Sequence, residues 1–328
     1  MRSTRCSMVW FTLVSSGVLN EVITRHLEYL TALAREKHFG RAAAACKVTQ
    51  STLSAGIKQL EEDIGVLIVE RGQRFVGLTP AGAEVLSWAQ RSIRDYSSLQ
   101  QSLHSMSHGL RGQLRIGAIP VALPLVPLLT VPFTKLHTET TILIRSLSSA
   151  EIQRGLDDFS LDVGFTYLDN DPLVRVRRLS LHRERYMFVT CREGKFSKKK
   201  QITWREAAAE PLCLMTPDMQ NRRILERHAK EGRATLHPEL ESNSLLALLG
   251  HLHTGRWATI LPDSFVRLLM DREMLVVLPL VEPEASHAVG LVTTDQEPLP
   301  AMARAFLDVA KMPKTKKEIR LRLRPFSA

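Results

Sequence analysis

The residues 47–65, KVTQSTLSAGIKQLEEDIG, admit one economical local structure, a short turn opening an amphipathic helix. Leu53, Ile57, Leu60 and Ile64 recur at three- and four-residue spacing, so they share a face and are expected to point inward. Thr49, Gln50, Ser51, Thr52, Ser54 and Lys58 lie around the amino end and the opposite side, a surface rich in short hydrogen-bonding groups. Thr49 is placed to cap the helix, its hydroxyl accepting one of the free amide protons of the first turn. Such a face suits the reading of base edges and equally suits plain solvation, so the neighbouring segments have to decide.

Upstream, Leu27, Leu30 and Ala34 predict a helix over 25–37, and an alanine-rich run predicts a shorter one over 40–46. Lys47 and Val48 then turn the chain, giving a helix-turn-helix order with small residues where helices cross. After Gly65 the pattern changes to two short extended runs around Gly72-Gln73, a hairpin wing carrying Arg71 and Arg74. The whole segment 39–82 resembles the winged helix-turn-helix of the LysR-type transcriptional regulators. The resemblance is carried by Ala42-Ala43, Val48, Gln50, Leu53-Ser54, Ile57, Leu60-Glu61, Gly65, Glu70-Arg71, Leu78-Thr79 and Ala81-Gly82. The sequence departs from the family at Ser51, where proline is common, and at Ala55-Gly56, in place of an arginine-glutamine pair. A glycine inside a helix weakens it by up to ~1 kcal/mol relative to alanine.

The resemblance implies that Gln50, Ser51, Thr52 and Ser54 approach base edges, with Gln50 suited to a paired contact with adenine. It assigns Thr49, Lys58, Arg71 and Arg74 to phosphates, with a structural ion pair as the alternative for Arg71 and solvation for Lys58. Residues 80–107 predict a long helix in which Val85, Ala89, Ser92, Tyr96, Leu99, Leu103 and Met106 form a heptad seam. By resemblance this linker pairs with its twin through Val85, Ala89, Tyr96, Leu99, Leu103 and Met106; packing on the chain's own effector domain is the alternative.

Beyond a hinge at 108–112 the periodicity reads strand (113–118), helix (123–137), strand (141–147), helix (149–157), strand (161–165), a βαβαβ unit with a parallel sheet. A second unit is expected from strands at 186–190 and 212–215 and helices at 219–231 and 244–253. The chain then returns to the first lobe at 288–293 and ends in a helix at 300–311. The expected fold is an N-terminal winged helix-turn-helix (22–79) and a linker helix (80–108), followed by a two-lobed α/β, periplasmic-binding-protein-like domain (109–312) whose second lobe covers about 170–268. Open α/β sheets bind ligands at the carboxyl ends of their strands. The effector candidates are therefore Pro120, Val121, Ser148, Ser149, Thr166, Tyr167, Thr216 and Pro217, with helix capping as the alternative for the two serines. Asn221, Arg222 and Arg223 read as a solvated helix face.

The net charge of +10 suggests an anionic partner, but its distribution matters more than its sum. Residues 112–310 carry 24 basic and 24 acidic side chains, whereas residues 311–328 carry 7 and 1. The tail at 313–328 is expected to be solvated, with weak attraction to DNA phosphates as the sharper reading. Residues 1–21 read as a disordered or mis-assigned leader in which a short apolar run mimics an export signal. Cys6, Cys46, Cys191 and Cys213 form no CxxC pair, so no metal, cofactor or disulfide framework is expected, and a reducing cytoplasm fits. No catalytic motif is present, and His251 and His253 are spaced two apart, a poor metal pair on a helix. The expected function is a non-enzymatic, sequence-specific transcription regulator. By resemblance its partners are double-stranded DNA, a small-molecule effector (an anion among the options), RNA polymerase, and one or three further copies of the chain, with no membrane. An effector-independent architectural DNA binder and a two-lobed enzyme are the alternatives.

Overall fold

Three helices close around one apolar centre at the amino end of the chain: α1 (Val18–Glu36), α2 (Phe39–Ala45) and α3 (Gln50–Ile64) bury Leu30, Leu33, Ala42, Leu53 and Ile57 against one another. The computed structural model describes residues 18–71, 75–108, 110–169, 172–191, 196, 198–269 and 275–324. They fall into two units, residues 1–103 and 104–328, each treated by itself below. Thr49 caps α3 by accepting the Thr52 amide at 3.2 Å, and Gly65 ends the helix with φ 79°, a left-handed conformation that glycine adopts without strain. Ile64, expected to face inward, is 45% exposed. The helix stops at Gly65, and its last turn runs past the edge of the core.

Gly56 has a packing reason for its identity. A Cβ there would sit 2.7 and 2.9 Å from ring carbons of Tyr29, itself buried on α1. Overpacking of this kind costs typically ~1–3 kcal/mol, whereas alanine would return at most ~1 kcal/mol of helix propensity. Gly56→Ala is therefore expected to lower the thermal midpoint of the winged unit. A raised midpoint would show that Tyr29 gives way freely and that the close crossing is not what selects glycine.

Strands β1 (Val69–Arg71) and β2 (Phe75–Leu78) pair antiparallel to form the wing. Glu61 on α3 positions it, since one buried carboxylate oxygen accepts the amides of Ile68 at 2.9 Å and Val69 at 3.0 Å. The long helix α4 (Pro80–His108) follows. Its Ala89 is 1% exposed and belongs to the winged core, with Val85 packed against the same cluster. Ala89 is thus an intramolecular core contact, and Val85 has one side on the same core: the first turns of α4 are needed to close a core that three helices leave open. Tyr96 is exposed, as is Trp88, which the heptad reading missed. The side chains of Leu99, Leu103 and Met106 lie outside the described residues.

The second unit is built on a curled sheet of eight strands. Strands β3 (Gly112–Ala118), β4 (Thr140–Ser146) and β5 (Val163–Tyr167) are parallel, with order β4-β3-β5. They are interleaved with a 3-10 turn (Pro120–Leu125), α5 (Pro127–Leu136) and α6 (Ser149–Asp157). Strand β6 (Val176–Cys191) then runs through both lobes. The second lobe adds β7 (Ile202–Thr203), α7 (Trp204–Ala208), β8 (Cys213–Met215), α8 (Gln220–Glu231), β9 (Leu240–Ser242), α9 (Leu245–Leu252), β10 (Thr259–Pro262), α10 (Asp263–Leu269) and β11 (Leu275–Val281). Tyr186 to Cys191 of β6 pair with β10 and β11, while Val176 to Arg185 pair with β12 (Ser286–Thr294), which returns the chain to the first lobe beside β5. Helix α11 (Ala301–Lys311) packs on α5, and the first lobe's aromatic centre is Phe133, Phe165 and Phe306.

Residues 313–322, expected as a solvated tail, form a further helix, α12 (Pro313–Arg322). Thr315 and Ile319 on it, with Leu323 just beyond, are buried four residues apart, which is why a lysine-rich segment stays folded against α5 and α11. Among the described residues, no helix is long and apolar enough to cross a membrane.

Candidate functional site

On the first unit, Gln50, Ser51, Thr52, Ser54 and Lys58 are all exposed along the amino half of α3, opposite the buried Leu53, Ile57 and Leu60. The Thr49 hydroxyl lies 2.8 Å from those of Ser51 and Thr52, so the helix entrance is a cluster of hydroxyls that can turn their protons to suit a partner. Lys58 sits 3.5 Å from Glu62 one turn on, a solvated pair. The backbone of Arg71 ends β1, but its side chain, like the whole of Arg74, lies outside the described residues.

In the second unit the seam between the lobes is polar and buried. Thr166 at the end of β5 donates its hydroxyl proton to Oε1 of Gln220 on α8 at 3.1 Å. The hydroxyls of Tyr167 and Tyr186 are 3.1 Å apart, and Nδ2 of Asn221 lies 3.4 Å from that of Tyr167. Asn221 and Arg222 are 4% and 5% exposed, which corrects their reading as a solvated face. The first turn of α8 is inserted against the ends of the first-lobe strands, and Arg222 is tied to the Met215 carbonyl, Glu226 and Glu241. Pro120 and Val121 are buried because their 3-10 turn packs against α10 of the other lobe. Ser148 heads a capping box with Glu151, whose carboxylate accepts the Ser148 amide at 2.8 Å and is held below its usual range by those bonds. An anion is therefore already present at the amino end of α6. Thr216 keeps its hydroxyl buried without a partner among the described residues, whereas Pro217 is exposed.

Two groups at this seam were not legible as sites. Glu184, in the part of β6 that crosses between lobes, is 1% exposed and accepts the Ser264 hydroxyl at 2.6 Å. Burial pushes its carboxyl up to about 7, with Asp263 and Asp169 adding to the rise and the Ser264 and Tyr167 hydroxyls opposing it. Beside it runs a four-membered bridge, Glu231 to His228 to His287 to Asp169, with successive distances of 2.7, 2.7 and 3.2 Å. Each imidazole faces a carboxylate through Nδ1, and the two Nε2 atoms face one another. Burial holds His287 below the ordinary imidazole range against the pull of Asp169. A four-residue shift in spacing or a motif does not announce such a pairing, because its members come from α8, β12 and the loop after β5.

Cys46, Cys191 and Cys213 are free thiols, and burial pushes Cys213 up to about 11.

Comparison with known proteins matches two family descriptions: "Bacterial regulatory helix-turn-helix protein, lysR family" over residues 24–83 and "LysR substrate binding domain" over residues 107–312. Among curated relatives, the DNA-binding transcriptional dual regulator OxyR of Escherichia coli is 28% identical over 282 residues, 84% of this chain and 90% of that protein. The transcriptional regulator AlsR of Bacillus subtilis is 27% identical over 252 residues, 74% of this chain and 82% of that protein. Among solved structures, a full-length cysteine variant of OxyR from Pseudomonas aeruginosa superposes with a TM-score of 0.72 at 25% identity, covering 89% of this chain and 95% of that one. Full-length CbnR complexed with its target DNA shares the fold, with a TM-score of 0.61 at 19% identity over 88% of this chain and 98% of that one. Both of the chain's parts, the winged helix-turn-helix and the two-lobed sheet behind it, are thereby accounted for by one family, and the chain belongs to the LysR family of DNA-binding transcription regulators.

Proposed function

We propose that this regulator reads its operator through Gln50, Ser51, Thr52 and Ser54 and is controlled by a small molecule bound at the seam between the two lobes. The observation that carries the second half is the polarity of the seam. Thr166, Tyr167, Tyr186, Glu184, Gln220 and Asn221 are all buried where two lobes meet, and Oδ1 of Asn221 and the Thr216 hydroxyl have no partner among the described residues. A buried polar atom left unpaired costs ~1–3 kcal/mol, which a ligand can recover by supplying the missing hydrogen bond. Hydroxyls and acceptors dominate the lining, Arg222 is already ion-paired with Glu226 and Glu241, and Glu151 occupies the amino end of α6. A neutral or cationic effector rich in hydrogen-bond donors suits this lining better than the anion expected from sequence.

Binding would exchange direct contacts such as Thr166 to Gln220 for contacts through the ligand, and so change how the lobes are held. Homo-oligomers on double-stranded DNA, with RNA polymerase as a downstream partner, complete the reading. Melting of the full chain against a metabolite panel, paired with footprinting on the DNA upstream of its own gene, tests it, since a ligand that binds the folded state raises the midpoint. A ligand that raises the midpoint equally in Gln220→Ala and the unaltered chain would place the site elsewhere. For the reading head, Gln50→Ala is expected to flatten discrimination at one operator position by about 1–3 kcal/mol in competition against varied duplexes. A loss uniform over all sequences would assign Gln50 to the backbone instead.

Several relatives are named hydrogen peroxide-inducible genes activators, including one in Haemophilus influenzae that is 24% identical over 282 residues. Thiol chemistry needs the thiolate, and burial disfavours it at Cys46 and Cys213. At those two positions a non-covalent effector is the better reading.

A further inference from the structure

We propose that helix α12 and the surface around Lys311 form a second, sequence-independent contact with the DNA backbone, apart from the winged helix-turn-helix. The helix begins at Pro313, directly after the residues matched by the substrate-binding family model, so nothing in that match assigns it a role. Thr315, Ile319 and Leu323 fix it to the domain, which turns Lys316, Lys317, Arg320 and Arg324 outward along a groove that also takes in Lys311 and Leu321. All five cations are exposed, and among the described residues none of them has a carboxylate partner. The acid on this helix, Glu318, is bound to Arg322 on a different row. Lys311 also lines an adjoining groove with Arg177, Arg178 and Arg304, where Glu297 is held by Arg177, so the basic surface continues past the helix.

The occupant that fits is a polyanion with evenly spaced charges. From Lys316 to the helix end at Arg322 the rise is about 9 Å, roughly the axial rise of two to three successive phosphates at ~3.4 Å each on one strand of a duplex, and Arg324 lies just beyond. Lysines and arginines on a docked helix present these charges already positioned, whereas a tail would have to be ordered first. Residues 112–310 are balanced at 24 basic and 24 acidic side chains, so this element supplies a local field that the rest of its domain does not.

The test uses the full chain and a random-sequence duplex long enough to extend beyond the reading heads, titrated over a range of NaCl. The glutamine variant K316Q/K317Q/R320Q is expected to reduce the slope of log affinity against log salt by about 2–3, at ~0.9 per lost phosphate contact. Because the substituted side chains are exposed, the melting midpoint should hold, and R322Q, outside the groove, should leave the slope unchanged. Gln50→Ala, measured in parallel, reports on the reading head by altering sequence preference, so failure there is distinguishable from failure here. An unchanged slope in the glutamine variant with a folded protein would overturn the assignment and leave the basic face to an acidic protein partner.

Discussion

Glu61→Ala is expected to destabilise the winged unit by roughly 2–6 kcal/mol, since two buried amides would lose their acceptor at about 1–3 kcal/mol each. The Glu61 side chain is 6% exposed, and one of its oxygens receives both the Ile68 and Val69 amides. Water cannot replace it without opening the contact between α3 and the wing. The wing's register depends on this contact, because β1 is only three residues long and its pairing with β2 shifts between Glu70 and Arg71. DNA affinity should therefore fall together with stability, although Glu61 touches no base. Glu61→Gln keeps a carbonyl oxygen in place and should recover most of both. Urea denaturation followed by a probe in the winged unit, with affinity for the upstream DNA measured alongside, checks the expectation. An alanine variant within 0.5 kcal/mol of the unaltered chain would mean that the wing is held by its other contacts, chiefly the Thr79 hydroxyl on the Leu67 carbonyl at 2.6 Å.

Glu61 also illustrates what the sequence made legible. As part of a family pattern, Leu60-Glu61 was visible, but the pattern does not say that the carboxylate serves two amides seven and eight residues on. Where structure is periodic, reading succeeded: α3 and its exposed polar face, the βαβαβ order of the first lobe and the Thr49 cap follow from spacings of two, three and four. It failed where tertiary partners decide. Val85 and Ala89 have heptad spacing, but a core close by claimed them. Asn221 and Arg222 look like any polar helix start until another lobe is packed on them. A lysine-rich end reads as a tail, because three buried residues at 315, 319 and 323 are a faint stripe among seven cations. The buried polar seam between the lobes lies at the ends of β5 and of the strands named from the sequence, yet its most distinctive members, Glu184 and the pair His228 and His287, meet through strands and helices distant in sequence.

Glu184 makes the stability of the second unit depend on pH in a definite direction. An unfolded Glu184 ionises near 4.5, and the folded one near 7, so between these values the folded state holds a proton that the unfolded state has released. Stability must then fall as pH rises through that window and stay low above it, by about 3 kcal/mol at ~1.36 kcal/mol per unit. His287 acts in the opposite sense, since burial lowers its imidazole below the ordinary value and the stability it contributes is lost as pH falls. Asp263 and Asp169 face the cluster as acids and Arg183 lies near Asp169, so neutralising Glu184 removes the least compensated charge. Glu184→Gln, which keeps the shape and a hydrogen-bond donor, is expected to match the unaltered chain at pH 5 and to exceed it by about 2–3 kcal/mol at pH 8. Denaturation across that range reads the difference directly. A Glu184→Gln variant that is less stable at pH 8 would show that the ionised carboxylate is itself wanted at the seam, which would narrow the expected effector from a neutral or cationic donor-rich molecule to a cation.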